Sequence, residues 1–170
     1  MIDQGKAQRV REIIETLKPL AIEYYQLTGK PLGVTGEIAE VAAADALGLE
    51  LVVARTRGFD AIRKTVAGEE HVQIKGRACT SKPNMSQRLG KIKRDSACDV
   101  VLLVLLDVAT LAPIGMWEAP FSAVQRRLDV PGSEARARGA LRLNEFMALA
   151  TKVWPQSKGG GLWPAAKESC

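Results

Sequence analysis

Residues 71–77 read His71-Val72-Gln73-Ile74-Lys75-Gly76-Arg77, and this short stretch decides the fold. The β-branched residues Val72 and Ile74 alternate with Gln73 and Lys75, the period-2 pattern of a strand. Gln73 and Lys75 therefore share one face, and Val72 and Ile74 the opposite one. Upstream, Arg55-Thr56-Arg57-Gly58-Phe59-Asp60-Ala61-Ile62 opens another extended stretch, with Gly58 and Gly68 marking turns. If the two strands pair as a hairpin, Asp60 lies beside Gln73 and Lys75. A lysine, an amide and a carboxylate gathered in an apolar strand pair are costly to bury unless the charges are used or mutually satisfied.

Around this pair, residues 49–55, 59–66 and 71–77 read as a three-strand meander. Residues 78–94 form a loop, with at most a short helix over 87–93. Val100-Val101-Leu102-Leu103-Val104-Leu105-Leu106 follows, seven apolar residues between Asp99 and Asp107. A run that short, against the ~20 residues that span a bilayer, is a strand buried on both faces and therefore central. Residues 111–118 form a further strand, which Pro113 places at an edge or a bulge. Pro120 then suits the first turn of a helix reaching Leu128. Residues 131–139 read as a loop, and a last helix runs from a cap at Asn144 through Phe146, Leu149, Ala150 and Val153.

Two helices precede the meander. Val10, Ile13, Ile14, Leu17, Ala21, Tyr24 and Tyr25 give residues 6–27 an amphipathic period, which Pro19 should kink or interrupt. After the turn at 29–33, Thr35 caps a helix that ends at Leu47 before Gly48. The order predicts an α/β fold: a mixed sheet flanked by helices, with extra N- and C-terminal helices, as one domain over 1–155. The Gly159-Gly160-Gly161 segment marks 156–170 as a flexible tail.

Composition bounds the function classes. The 170 residues are 46% hydrophobic and 25% charged, which fits a soluble domain and excludes fibrous, collagen-like and fully disordered classes. The net charge of +5 favours a polyanionic partner. Cys79, Cys98 and Cys170 show no paired spacing, which points to a reducing compartment without a disulfide framework. One histidine and no Cys-x-x-Cys leave zinc unsupported. With no signal-peptide pattern and no membrane span, the expected location is the cytoplasm.

Asp60, then about a dozen residues, then Gln73-x-Lys75 in an apolar strand resembles the PD-(D/E)XK nuclease superfamily, the restriction-endonuclease-like fold. The resemblance covers roughly residues 33–107 and implies an αβββαβ-type core. It implies that Asp60 is the metal-binding aspartate at the start of the second core strand, and that Lys75 orients or activates the attacking water. Gln73 stands where the family usually has Glu or Asp, and Phe59 stands where the family name has Pro. Glu37, eleven residues before Gly48, matches the helix carboxylate of archaeal Holliday-junction resolvases. The implied activity is hydrolysis of DNA phosphodiester bonds with Mg²⁺ or Mn²⁺, held by Asp60, Glu37, the Gln73 side-chain oxygen and the Ile74 carbonyl.

From the residues alone, each of these has a second reading. Asp60 also suits a turn after Gly58, Lys75 a strand-end cation reaching water, and Glu37 a complement to the helix dipole. Glu40, three residues on, competes for the helix-carboxylate role, and the spacing to Gly48 favours Glu37.

The stretch 71–94 carries Lys75, Arg77, Lys82, Arg88, Lys91, Lys93 and Arg94 and no acidic residue, seven cations in twenty-four residues. Such a run supplies salt-sensitive phosphate contacts, or is an ordinary solvated loop. Arg55 and Arg57 either add contacts to a scissile strand or pair with Glu50, Glu69 or Glu70. No recognition helix is identifiable, so cutting guided by DNA structure or by a partner is expected over sequence-specific cutting. Cleavage of two strands motivates a homodimer or a larger assembly. The competing function is a catalytically silent nucleic-acid-binding module of the same fold.

Overall fold

The computed structural model describes residues 3–53, 58–80 and 82–155. Arg55, Arg57, Cys170, Trp163 and the expected tail 156–170 lie outside the described residues. Helices α1 (Gln4–Thr28) and α2 (Thr35–Leu47) come first, followed by strands β1 (Glu50–Leu51), β2 (Ala61–Thr65), β3 (Gly68–Cys79), β4 (Val100–Asp107) and β5 (Pro113–Pro120). Helices α3 (Phe121–Asp129), α4 (Glu134–Ala137) and α5 (Leu143–Met147) and strand β6 (Thr151–Trp154) complete the described elements. The strands form one six-stranded mixed sheet in the order β1-β2-β3-β4-β5-β6. Only β3 and β4 run parallel, with Val72 opposite Val100 and Lys75 opposite Leu103.

β4 is the spine of two cores because its residues alternate between the sheet faces. Val100, Leu102, Val104 and Leu106 pack under α1 and α2 with Val72 and Ile74. Val101, Leu103 and Leu105 pack on the other side with Phe121, Val124, Leu128 and Phe146. An apolar run without polar interruption is what two covered faces require. Gly76 brings α2 down onto β3: a Cβ there would lie 2.5 Å from Ala39 Cβ and 2.7 Å from the Thr35 carbonyl oxygen. Trp117 and Trp154 pack against the two cores as half-buried side chains.

Several elements depart from the sequence reading. The expected helix over 87–93, the crossover helix of an αβββαβ order, is not formed. Those residues bond to a distant segment instead: Leu89 N–H donates to Leu141 O at 2.8 Å and Ile92 N–H to Gly139 O at 2.9 Å. Leu143 N–H donates to Gln87 O at 2.8 Å. Leu89 and Ile92 are thereby buried in the second core, so an extended segment covers the face a helix was expected to cover. The anticipated last helix ends after α5, and its remainder pairs as β6 against β5. β5 is consequently an inner strand, and Pro113 sits at its register shift, the bulged alternative of the sequence reading. α1 runs through Pro19 without interruption, and 131–139 includes the one-turn helix α4.

Candidate active site

The β2–β3 hairpin places Asp60. Pairing begins at Ala61 opposite Val72, and Asp60 stands one residue before it, with its N–H donating to Val72 O at 2.9 Å. Phe59 stacks on His71, ring centroids 4.0 Å apart and planes within 7°, which assigns the lone histidine a packing role. Beyond Val72 the hairpin has no residue to receive the Ile74 N–H. The Asp60 carboxylate does so: Ile74 N–H donates to Oδ2 at 2.7 Å. A backbone donor that would otherwise be orphaned thus fixes the carboxylate against β3.

Gln73 is the buried polar side chain of the described core, 6% exposed. Its Nε2 donates to the Gly58 carbonyl at 3.3 Å and to Ser96 Oγ at 3.4 Å, while its Oε1 is buried without a partner. Gly58 has φ +83°, and a Cβ there would lie 2.5 Å from Ala97 N. Only glycine lets these two segments close over Gln73.

Lys75 is half-buried on the same face. Burial pulls its ammonium below the usual lysine range, opposed chiefly by the negative charge of Asp60, while Lys93 pushes it further down. Glu40 completes the group from α2. Burial, followed by the charges of Asp60 and Glu37, pushes its carboxyl up to about 7, with Lys75 pulling the other way. Glu37 is exposed one turn earlier and acts on Glu40. The helix carboxylate on which the charges of Asp60 and Lys75 act is Glu40, the alternative to Glu37. Burial, with Asp99 adding to it, holds the nearby Cys98 thiol up at about 11, which keeps it protonated and unsuited to nucleophilic work.

The expected basic residues divide into two groups. Arg94 is committed to the fold: it pairs with Asp129, donates to Leu128 O at 2.9 Å, and its own carbonyl accepts from Gln125. Arg88 makes a long 3.4 Å contact with Ser133 Oγ and bridges to Arg142. Lys82, Lys91 and Lys93 are exposed and enter no ion pair among the described residues. Arg77 is half-buried on the face of Gln73 and Lys75, with Nε unpartnered.

Among the described residues no three His, Cys, Asp or Glu side chains gather as a metal-binding group. The donors available are of another kind: the carboxylate of Asp60, bonded to the Ile74 N–H, that of Glu40, coupled to it by charge, and on β3 the amide oxygen of Gln73 and the Ile74 carbonyl. All are hard oxygen ligands of the kind Mg²⁺ accepts, and the unpartnered, buried Gln73 Oε1 is the atom a cation would satisfy. The set therefore fits a Mg²⁺ or Mn²⁺ ion more readily than a thiolate or imidazole metal.

The sequence did not single out Ser96 or the closure at Gly58. Gly58 was visible only as a turn residue, and nothing in the local pattern ties Ser96 to a strand 23 positions away. The chain matches no protein-family model and no curated protein. No helix among the described residues is long and apolar enough to cross a membrane.

Proposed function

We propose that the protein is a metal-dependent nuclease that hydrolyses DNA phosphodiester bonds, with a restriction-endonuclease-like core. The observation that carries this reading is the charge coupling of Asp60, Glu40 and Lys75, with Asp60 bonded to the Ile74 N–H on the strand that also carries the buried, unpartnered Gln73 Oε1. Asp60, Glu40, Gln73 Oε1 and the Ile74 carbonyl would hold Mg²⁺ or Mn²⁺. Such an ion supplies charge against a phosphate oxygen and a lowered pKa for water.

Lys75 would supply positive charge to a phosphate oxygen or to the attacking water. Its partial burial strengthens that interaction by excluding water. Asp60 is held by the Ile74 N–H, so its orientation is set before substrate arrives. Lys91 and Lys93, free of ion pairs among the described residues, supply backbone contacts that are largely indifferent to sequence. Cutting guided by DNA structure or by a partner is consistent with such contacts.

The uncharged Gln73 favours a second reading, a silent nucleic-acid-binding module of the same fold. Cleavage of labelled linear, branched and single-stranded DNAs with Mg²⁺ or Mn²⁺ separates the two. Metal-dependent products that disappear in Asp60→Ala and Lys75→Ala support the nuclease. Salt-sensitive binding without products supports the module, and neither cutting nor binding contradicts both.

A further inference from the structure

Gln73 uses one end of its amide and leaves the other free. Its nitrogen carries two N–H donors and has two acceptors, the Gly58 carbonyl at 3.3 Å and Ser96 Oγ at 3.4 Å. A backbone carbonyl only accepts hydrogen bonds, so the nitrogen of the amide, and not its oxygen, must face Gly58. The Ser96 hydroxyl takes up the second N–H. The oxygen is left over: Oε1 is buried and has no hydrogen-bond partner. An amide satisfied at one end alone is costly in a core, and this side chain is 6% exposed.

Two distant segments build the clamp. Gly58 precedes β2, and Ser96 lies in the loop before β4. They are in contact, because a Cβ on Gly58 would lie 2.8 Å from Ser96 Cα. Asp60 fixes the backbone on either side of the same residue: its N–H donates to Val72 O, and its Oδ2 accepts from the Ile74 N–H. The backbone around Gln73 is thereby held by Asp60, which leaves the orientation of the amide to be set by Gly58 and Ser96.

We propose that Ser96 is a positioning residue: together with the Gly58 carbonyl it holds the Gln73 amide by its nitrogen, so that Oε1 is the atom presented to a divalent cation. The device suits an amide in particular. A carboxylate presents an acceptor either way round, whereas a glutamine turned over would present N–H donors, which repel a cation. This inference rests on the metal-dependent reading above and adds Ser96 to it.

Binding of Mn²⁺ to the full chain without DNA, followed by isothermal titration calorimetry, tests this, with circular dichroism melts as a folding control. Ser96→Ala is expected to weaken Mn²⁺ binding about 10-fold and Gln73→Ala by at least as much, while Ser96→Thr, which keeps the hydroxyl, stays within about 2-fold of wild type. A Ser96→Ala variant that binds Mn²⁺ as wild type does overturns the proposal, even if its Tm falls, because the hydroxyl then serves the fold alone. Unchanged affinity in Gln73→Ala overturns it as well, since the amide oxygen is then not a ligand. So does a Ser96→Thr variant as weak as Ser96→Ala, since the hydroxyl is then not what matters. In each of these cases Mn²⁺ still binds and the nuclease reading stands. No Mn²⁺ binding by wild type contradicts the metal reading itself, and the role of Ser96 falls with it.

Discussion

The Ile74 backbone N–H donates to Asp60 Oδ2 at 2.7 Å, so the carboxylate at the centre of the site also closes the open end of the β2–β3 hairpin. Charge and capping at Asp60 are separable by substitution. Asp60→Asn keeps an acceptor oxygen and loses the charge, whereas Asp60→Ala loses both. Asp60→Ala is expected to be less stable than Asp60→Asn by about 1–2 kcal/mol, read by urea denaturation, with both equally inactive. Equal stability of the two variants would contradict the capping role.

Gln73 tests why this chain has an amide where a carboxylate is customary. Its Nε2 donates to the Gly58 carbonyl, and a glutamate there would set a buried charge against that oxygen. Gln73→Glu is therefore expected to lower stability at pH 8 in metal-free buffer by about 1–3 kcal/mol. The new carboxyl would have a folded pKa raised above its unfolded value. The penalty is then absent below the unfolded value and grows as pH rises toward the folded one. Thermal melts at pH 4.5 and 8 check this, and an unchanged or raised Tm at pH 8 would contradict it.

Glu40 gives the wild-type chain its own pH signature. Its folded pKa is about 7 against a reference of 4.5, so the folded state holds a proton that the unfolded chain releases. Stability from this group is full below pH 4.5, falls between 4.5 and 7, and is lost above. In metal-free buffer Glu40→Gln should match wild type near pH 4.5 and exceed it at pH 8 by about 1–2 kcal/mol, a Tm difference of roughly 2–8 °C. A variant less stable than wild type at pH 8 would show that Glu40 is not held at a charge cost.

The basic segment divides by use. Lys91 and Lys93 are exposed and enter no ion pair among the described residues, whereas Arg94 is tied to Asp129 and Leu128. Removing Lys91 or Lys93 should lower the slope of log affinity against log salt by about 0.9 for each DNA phosphate no longer neutralised. Arg94→Ala should leave that slope unchanged and lower stability instead. Fluorescence anisotropy with labelled duplex at several salt concentrations, with urea melts alongside, distinguishes the two classes.

The sequence was most informative where one physical constraint acts at short range. Alternation placed Gln73 and Lys75 on one face, and the run from Val100 to Leu106 could only be a strand covered on both sides. It was least informative where backbone groups find distant partners. Residues 87–93 carry cations and leucine at helix-like spacing, but their N–H groups bond to 139–141, a pairing no local pattern announces. Likewise the segment after Met147 reads as helix by its spacing and becomes β6 because β5 offers an open edge. In the site, spacing favours Glu37, whereas the charges of Asp60 and Lys75 act on Glu40. That choice depends on how closely α2 rides on Gly76, a property of packing rather than of sequence order.

The measurement closest to the central claim is single-turnover cleavage of labelled DNA by wild type and Lys75→Met, with Mg²⁺ and with chelator, and binding followed in parallel. Lys75→Met keeps the apolar stem and removes the charge, so folding and DNA affinity should be retained to within a few-fold. Metal-dependent products are expected from wild type, with a loss of at least about 100-fold in the variant. Cutting by the variant at the wild-type rate, or no cutting by wild type on any of the DNA forms, would contradict it.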